Sequence, residues 1–540
     1  MHVMNKLVIG FLLTLQTSAD YIEVFDTVAE MSATTLSVEG VYQTRGYYDI
    51  DDGGGATYIV KTASDYGATP DEYGDHTVNV SDVAVLQSPD HLNVRQYGAR
   101  GNGTWDDRDA IEAACNAAVR SNCTRKVYFP AGIYVINSNG GTILLQEGIR
   151  LEGEGGLPVR RPTVELQGTV LHIKGQVYSP FTYERGIHVS RLFIDYPDQD
   201  EDPVTPDVYP FCFDGSTTGN NGGKSCFDTV YFDRTYRGIR STGGTVWNNV
   251  HGTFYHRMFT ISSSSAINWI NNCSASALWH LGSNSNTLAY QQDNLAALEI
   301  NGGSDGLTID GYAVFTAKAF VTLTGGDSLN FFRVGDSIFD GVMDPIANDG
   351  TVKILNAQFD NCIFRANNEW GSTYRASSII LDGPSYLNGL ADQTLLFSNC
   401  KFRVGAGGFL QIVSGLDKIS LNNCSFYDWN GREMAYTQSL SAIQIEDTNC
   451  VLVVTGGTVD NTNRYDDGNV VSRFIHVKGA KRITITGVDC NKINSLVNVS
   501  ASVALPKLTI TGCSGDDVDN SVSYGSGASV TSLVDANNNF

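Results

Sequence analysis

The chain has 540 residues, 42% of them hydrophobic, with 56 glycines, 13 prolines and a formal net charge of −22. That length makes either several ordinary domains or one long solenoid, and the glycine-rich, proline-poor balance excludes a disordered Pro-rich chain. The acidity excludes the basic surface that phosphate binding needs, so no nucleic-acid partner is expected.

Residues 1–23 open with Lys6, an apolar run from Leu7 to Leu15, and Thr17-Ser18-Ala19. The segment is signal-like, or it is a short stretch that docks onto a partner. The run is too short to span a membrane, and no later segment supplies a span. Residues 24–90 read as a small separate module. There the triple glycine Gly53-Gly54-Gly55 feeds the alternating run Ala56–Val60, which predicts a tight turn and then a strand.

The character changes at residue 91. Asn93–Gly103 predicts a short strand and a Gly-rich turn. Asp106, Asp107 and Asp109 then precede an Ala-rich stretch, so a helix is predicted near 106–120. Ile111, Ala114, Cys115 and Ala118 form its apolar face, suited to capping the open end of a solenoid. Val127–Val135 follows as strand, turn, strand.

From about residue 145 one pattern recurs at irregular spacing: alternating apolar residues, an Asn or Gly step, then a second short strand. Examples are Gly306–Gly311, Lys418–Cys424, Arg482–Gly487 and Lys507–Cys513. Asn and Gly suit the step because both tolerate left-handed backbone angles. The expected class is all-β: a right-handed single-stranded parallel β-helix over 91–515, with the small N-terminal module and the capping α-helix before it. Residues 516–540 read as a polar C-terminal tail. The 11 cysteines show no CxxC or zinc spacing, and several follow an asparagine, as in Asn361-Cys362 and Asn399-Cys400. They read as small apolar residues facing the interior, with Cys115 and Cys123 close enough in sequence to bridge.

These features resemble the pectate-lyase superfamily as found in bacteriophage tail spikes and capsule depolymerases. The turn at Asn93–Gly103, the Asp106-Asp107 pair, the helix and Val127–Val135 are similar to its entry segment. Phe25–Ala29 and Asp52–Tyr58 are similar to the module that often precedes it in tail spikes. The resemblance implies a homotrimer on a virion tail, with a possible tail or baseplate partner at the N-terminus. Its ligand would be a host cell-surface polysaccharide of capsule or O-antigen type, bound and commonly cleaved. A secreted enzyme and a non-catalytic receptor-binding spike are the alternatives. The polygalacturonase-type signature and the calcium-dependent lyase pattern are both absent from this sequence, so no family catalytic residue carries over.

Candidate chemistry therefore rests on residue type. Hydrolysis needs two carboxyl groups flanking the glycosidic bond. Glu299, Asp233, Asp310 and Asp228 are the candidates, with Asp195 and Asp305 behind them. Glu299 ranks first because Leu298 and Ile300 flank it, and burial raises a carboxyl pKa. Trp247, Trp269 and Trp279 are candidates for stacking on sugar rings, and Tyr236, Arg237 and His256 for polar substrate contacts. A lyase would instead draw its base and cation from Tyr236, Arg237, His251, Tyr255, His256 and Arg257. Hydrolysis is preferred narrowly over elimination, and the groove is expected within residues 225–310. Asp195, Asp198, Asp200, Glu201 and Asp202 lack the ordered spacing of a calcium loop and read as a solvated loop; no metal or cofactor is expected.

Overall fold

The computed structural model describes residues 22–87, 90–120, 125–155, 168–200, 202–216, 224–276, 285–326, 328–348, 351–365, 379–381, 393–403, 408–427, 440–461 and 472–540. The signal-like run, Trp279, Glu201 and Cys123 lie outside the described residues. The chain divides into two units, Met1–Pro89 with Arg95–Gly98, and Asp90–Val94 with Ala99–Phe540.

The first unit is a small five-stranded sheet built from Glu23–Phe25, Val41–Thr44, Thr57–Lys61, Asp82–Gln87 and His76–Val78, in that spatial order. Its core is Phe25, Val28, Met31, Tyr58, Val60 and Ala84. The triple glycine does feed a strand. Just before it, the Asp52 carboxylate accepts N–H groups from Tyr47, Tyr48, Asp49 and Gly54. Burial works to raise the Asp52 pKa, but these backbone donors together hold it below the usual carboxylate range.

The second unit is a parallel β-helix. Lys418–Asn422, Ser425–Tyr427 and Leu440–Ile445 make one coil, and Val451–Thr455, Thr458–Asp460 and Ser472–Val477 pair with them strand for strand in parallel. Each coil thus gives one strand to each of three sheets, here called first, second and third in chain order. The helix Arg108–Arg120 buries Ala110, Ile111, Ala114, Cys115 and Ala118. It packs against Leu92–Asn93, Lys126–Phe129 and Ile143–Leu145, the start of the solenoid, where a cap is needed.

The Asn or Gly step is the turn from the first sheet to the second. Asn249, Asn272, Gly311, Asp336, Asn361, Asn399, Asn423, Gly456, Gly487 and Gly512 all take positive φ there. Side-chain amides link successive rungs: Asn272 Nδ2 donates to Asn249 Oδ1 at 2.6 Å, and Asn423 Nδ2 to Asn399 Oδ1 at 2.9 Å. The residue after the turn faces inward. Cys362, Cys400 and Cys424 sit there, and each thiol donates to a main-chain carbonyl of the preceding rung. That is why a small, weakly donating side chain recurs. All ten described cysteines are free, Cys115 among them. Phenylalanines stack rung on rung beside them, as in Phe364, Phe402 and Phe426, with centroids 5.0 and 4.7 Å apart.

The expected polar tail is instead part of the solenoid. Ser514–Tyr524 pairs in parallel with Asp489–Val499, and Ser529–Ala536 with Ala504–Thr511. Ladder hydrogen bonds tie this backbone to the preceding rung although its side chains are mostly polar and exposed, so polarity alone misread it. Among the described residues no helix is long and apolar enough to cross a membrane.

Candidate active site on the third sheet

The register separates the candidate residues onto different faces. Outward on the third sheet, Asp214, Arg240, Thr260, Glu299 and Thr322 occupy successive rungs of one column. Phe211, Arg237, Arg257, Ala296 and Ala319 form a second column three residues earlier. Outward on the first sheet lie Asp228, Asn248, Asn271 and Asp310 in one column, with Trp269 two residues before Asn271. Asp233 is on the second sheet, beside Asp195.

Glu299 points away from its apolar neighbours. Leu298 and Ile300 face the core, while the carboxylate meets Arg257 Nη2 at 3.2 Å and accepts from Thr260 Oγ1 at 3.1 Å. The expected apolar cage is on the other side of the strand, so the ground for an acid role fails. Asp233 is buried at 5% exposure and accepts the Arg234 backbone N–H. Next to it, Asp195 and Arg234 form a bidentate ion pair at 2.7 Å, with Arg234 also reaching the Gln199 carbonyl at 3.2 Å. Asp195 and Asp233 are on adjacent rungs, but both are enclosed, out of reach of a sugar chain. Glu299 and Asp233 do not share a sheet, so they cannot flank one bond. Glu299 and Asp214 share a column but stand three rungs apart, about 14 Å at the usual strand spacing. Asp228 and Asp310 are separated equally. Glycosidases place their two carboxyls roughly 5–9.5 Å apart.

Trp247 is fully buried against Phe259, with centroids 4.9 Å apart, which removes it from any ligand surface. It follows the inward alternation of its strand. Trp269 is on the outer face, with the Lys224 ammonium 4.3 Å above its ring. Tyr255 is buried, and His251 is on the second sheet, where its Nδ1 lies 2.8 Å from Ser274 Oγ. A shallow pocket there is lined by His251, Asn272, Ser274 and Phe315. Of the expected loop, Asp200 and Asp202 bind neighbouring segments: Tyr255 Oη donates to the Asp200 carbonyl, and Asp202 Oδ1 accepts the Thr287 N–H at 2.8 Å. Among the described residues no group of three or more His, Cys, Asp or Glu side chains is placed to hold a metal ion.

What the structure does bring together is Tyr236, Arg237, His256, Arg257 and Glu299. The Tyr236 and His256 rings stack with centroids 5.2 Å apart and planes 7° from parallel. Arg237 Nε donates to His256 Nδ1 at 3.2 Å, so that nitrogen carries no proton and the imidazole is neutral. Burial, together with the cations Arg257, Arg237 and Lys318, pushes the His256 pKa down to about 3. Arg237 and Arg240 also lie over the Phe211 ring, at 5.7 and 4.8 Å. Sequence reading missed the helix Ser285–Asn294, which brings Tyr290 into hydrogen-bonding reach of Tyr236. Burial first, and then the hydrogen bond with Tyr236, pushes the Tyr290 hydroxyl up to about 12. Arg257 Nη1 also reaches the carbonyl of Asn294 at the end of this helix, at 3.4 Å. Helical periodicity is weak in Ser285–Asn294, and no cap motif announced it.

The arrangement is a cationic patch holding one neutral imidazole, two phenols and one carboxylate already engaged by arginine. It suits binding an anion and moving a proton more than it suits acid–base hydrolysis by two carboxyls.

Residues 91–194 match the family described as Rhamnogalacturonase A/epimerase, pectate lyase-like. Over 116 residues the chain is 33% identical to mannuronan C5-epimerase AlgE1 of Azotobacter vinelandii, which is 21% of this chain and 8% of that protein. Over 67 residues it is 40% identical to AlgE4 of the same organism, 12% of each. The chain thus spans a small part of these relatives. A tailspike protein of E. coli bacteriophage HK620, solved in complex with a hexasaccharide, superposes with TM-score 0.50 and 10% identity over 87% of this chain and 86% of that one. Residues 91–194 are a pectate-lyase-like segment, and the fold is the β-helix of such tailspikes.

Proposed function

We propose that this protein is a tail spike that binds an acidic polysaccharide on the host cell surface and cleaves it by β-elimination. The observation that carries the reading is the neutral His256 beside two arginines on one outward face, its Nδ1 accepting from Arg237 and its backbone carbonyl from Arg257. In a uronic acid the C5 proton is adjacent to a carboxylate. Arg237 and Arg257 would pair with that carboxylate and stabilise the enolate-like charge that develops on it. As Arg237 turns to the substrate, His256 Nδ1 is released. The incoming negative charge also offsets the cations that depress its basicity, so the imidazole takes the C5 proton. The C4–O4 bond breaks, a C4–C5 double bond forms, and a tyrosine of the Tyr236–Tyr290 pair returns a proton to the leaving oxygen. Glu299 acts through Arg257, holding it in place.

This revises the preference for hydrolysis. The match to C5-epimerases gives a second reading a specific footing: removal of the same proton, followed by return of one to the opposite face, inverts C5 without cleavage. The fold likeness to the HK620 tailspike supports attachment to a virion tail, and a homotrimer belongs to the same proposal. The test is incubation with mannuronan, polygalacturonate and host capsule, followed by mass and NMR analysis. An unsaturated uronic acid end supports elimination. Inverted C5 without shortening supports epimerisation. A saturated reducing end would overturn both.

A further inference from the structure

The third sheet carries a second cationic position far from His256. The column of Glu299 continues through Thr322, Ala347, Ile380, Gln411 and Gln444 to His476, and Arg473 stands three residues before His476, as Arg257 stands three before Thr260 in that column, seven rungs beyond Arg257. At the usual strand spacing that is about 34 Å. Arginines elsewhere on the solenoid make the contrast: the buried Arg234 has Asp195, and the part-buried Arg240 and Arg257 have Asp214 and Glu299. Arg473 makes no hydrogen bond or ion pair among the described residues, and its Nε is buried without an acceptor. On the next rung, Ser495 Oγ is likewise buried and unused.

Among the described residues, the neighbouring polar groups are already engaged with one another. His476 is locked by Asn498 Oδ1 at 2.8 Å and Ser500 Oγ at 3.0 Å. The nearby carboxylate, Glu446, is taken by Lys478 at 3.1 Å and by the Gln411 amide at 3.2 Å. A guanidinium taken partly out of water without a partner is costly, and the cost is recovered when an anion with matching acceptors arrives. A planar carboxylate fits the guanidinium fork.

We propose that Arg473 anchors a second carboxylate-binding subsite for the same acidic polymer, engaging a uronate well removed from the one at His256. This rests on the reading of the third sheet as the polysaccharide face. A chain held at both ends of that face dissociates only when both contacts open, so polymer affinity exceeds that of a short fragment without any change in chemistry.

The experiment compares wild type with Arg473→Gln and Arg473→Lys in the full chain. Binding of mannuronan and polygalacturonate polymers, of their short oligomers, and of neutral dextran is measured by calorimetry. Arg473→Gln should weaken polymer binding by about tenfold or more, as expected for a lost charge-assisted contact. It should leave oligomer binding and oligomer turnover unchanged, and Arg473→Lys should retain part of the polymer affinity. Because the Arg473 side chain has no partner to lose among the described residues, the melting temperature of Arg473→Gln should equal or exceed that of wild type, which separates lost binding from lost folding. Polymer affinity unchanged by Arg473→Gln overturns the subsite, as does a wild type that binds neither polymer. Polymer binding that depends on Arg473 in a protein without turnover supports the subsite and sinks the elimination reading alone.

Discussion

His256 is a base only if its imidazole stays neutral, and its neighbours enforce that. The folded pKa, about 3, lies below the value of roughly 6.5 for an unfolded histidine. The acid limb of kcat/KM should therefore not show a histidine titration near pH 6.5, and His256→Gln should cost about 10²–10⁴ in turnover. The same shift has a stability consequence. Between pH 6.5 and 3 the unfolded chain binds the proton and the folded chain does not, so stability is full above pH 6.5 and is lost as pH falls through that window. Burial moves His76, His188, His251 and His476 in the same direction. Urea titrations at pH 7 and pH 5 should show this loss, and His256→Gln should lose less than wild type. A second expectation concerns the enclosed pair. Asp195→Asn leaves Arg234 charged at 5% side-chain exposure and should destabilise by about 3–5 kcal/mol in equilibrium unfolding.

At the scale of the element, the turn from first to second sheet decides the fold. Asn423 has φ of 52° and ties its rung to Asn399. Asn423→Ala should lose both the amide link and the tolerance for left-handed backbone, costing about 1–2 kcal/mol, whereas Asn423→Gly keeps the backbone freedom and should cost less. Chemical unfolding of the two variants measures the difference. This turn is also why the architecture was legible: Asn-Cys and Gly steps after alternating apolar runs mark where the strand ends and what must face inward. Asn93–Gly103 and the face formed by Ile111, Ala114, Cys115 and Ala118 were legible for the same reason. The site was legible only in part. Glu299 and Asp233 look equivalent in sequence, each beside apolar residues, yet alternation sends one to solvent and a turn sends the other under a loop. Trp247 and Trp269 differ in the same way. Which residues share a column depends on pairing across some 20–40 residues, with loop lengths that no periodicity fixes. The final strands were misread because their side chains are polar while their backbone pairs with the preceding rung.

For the whole molecule, the acidic charge and parallel coils bear on assembly. If three chains associate through the flanks of the β-helix, light scattering at micromolar concentration should give three times the chain mass, and a stable monomer would rule this out. Denaturation without reductant should expose the cysteines as free thiols, since each described one is unbridged and all of these but Cys226 are buried. On the proposed function, one outward face carries proton abstraction from an acidic sugar chain. That role is tested most directly by NMR of polymer products from wild type and Arg257→Gln. Elimination at this face should give unsaturated uronate ends from wild type, and a loss of about 10²–10³ in rate from Arg257→Gln with folding intact. Saturated reducing ends, or an Arg257→Gln protein as active as wild type, would contradict it.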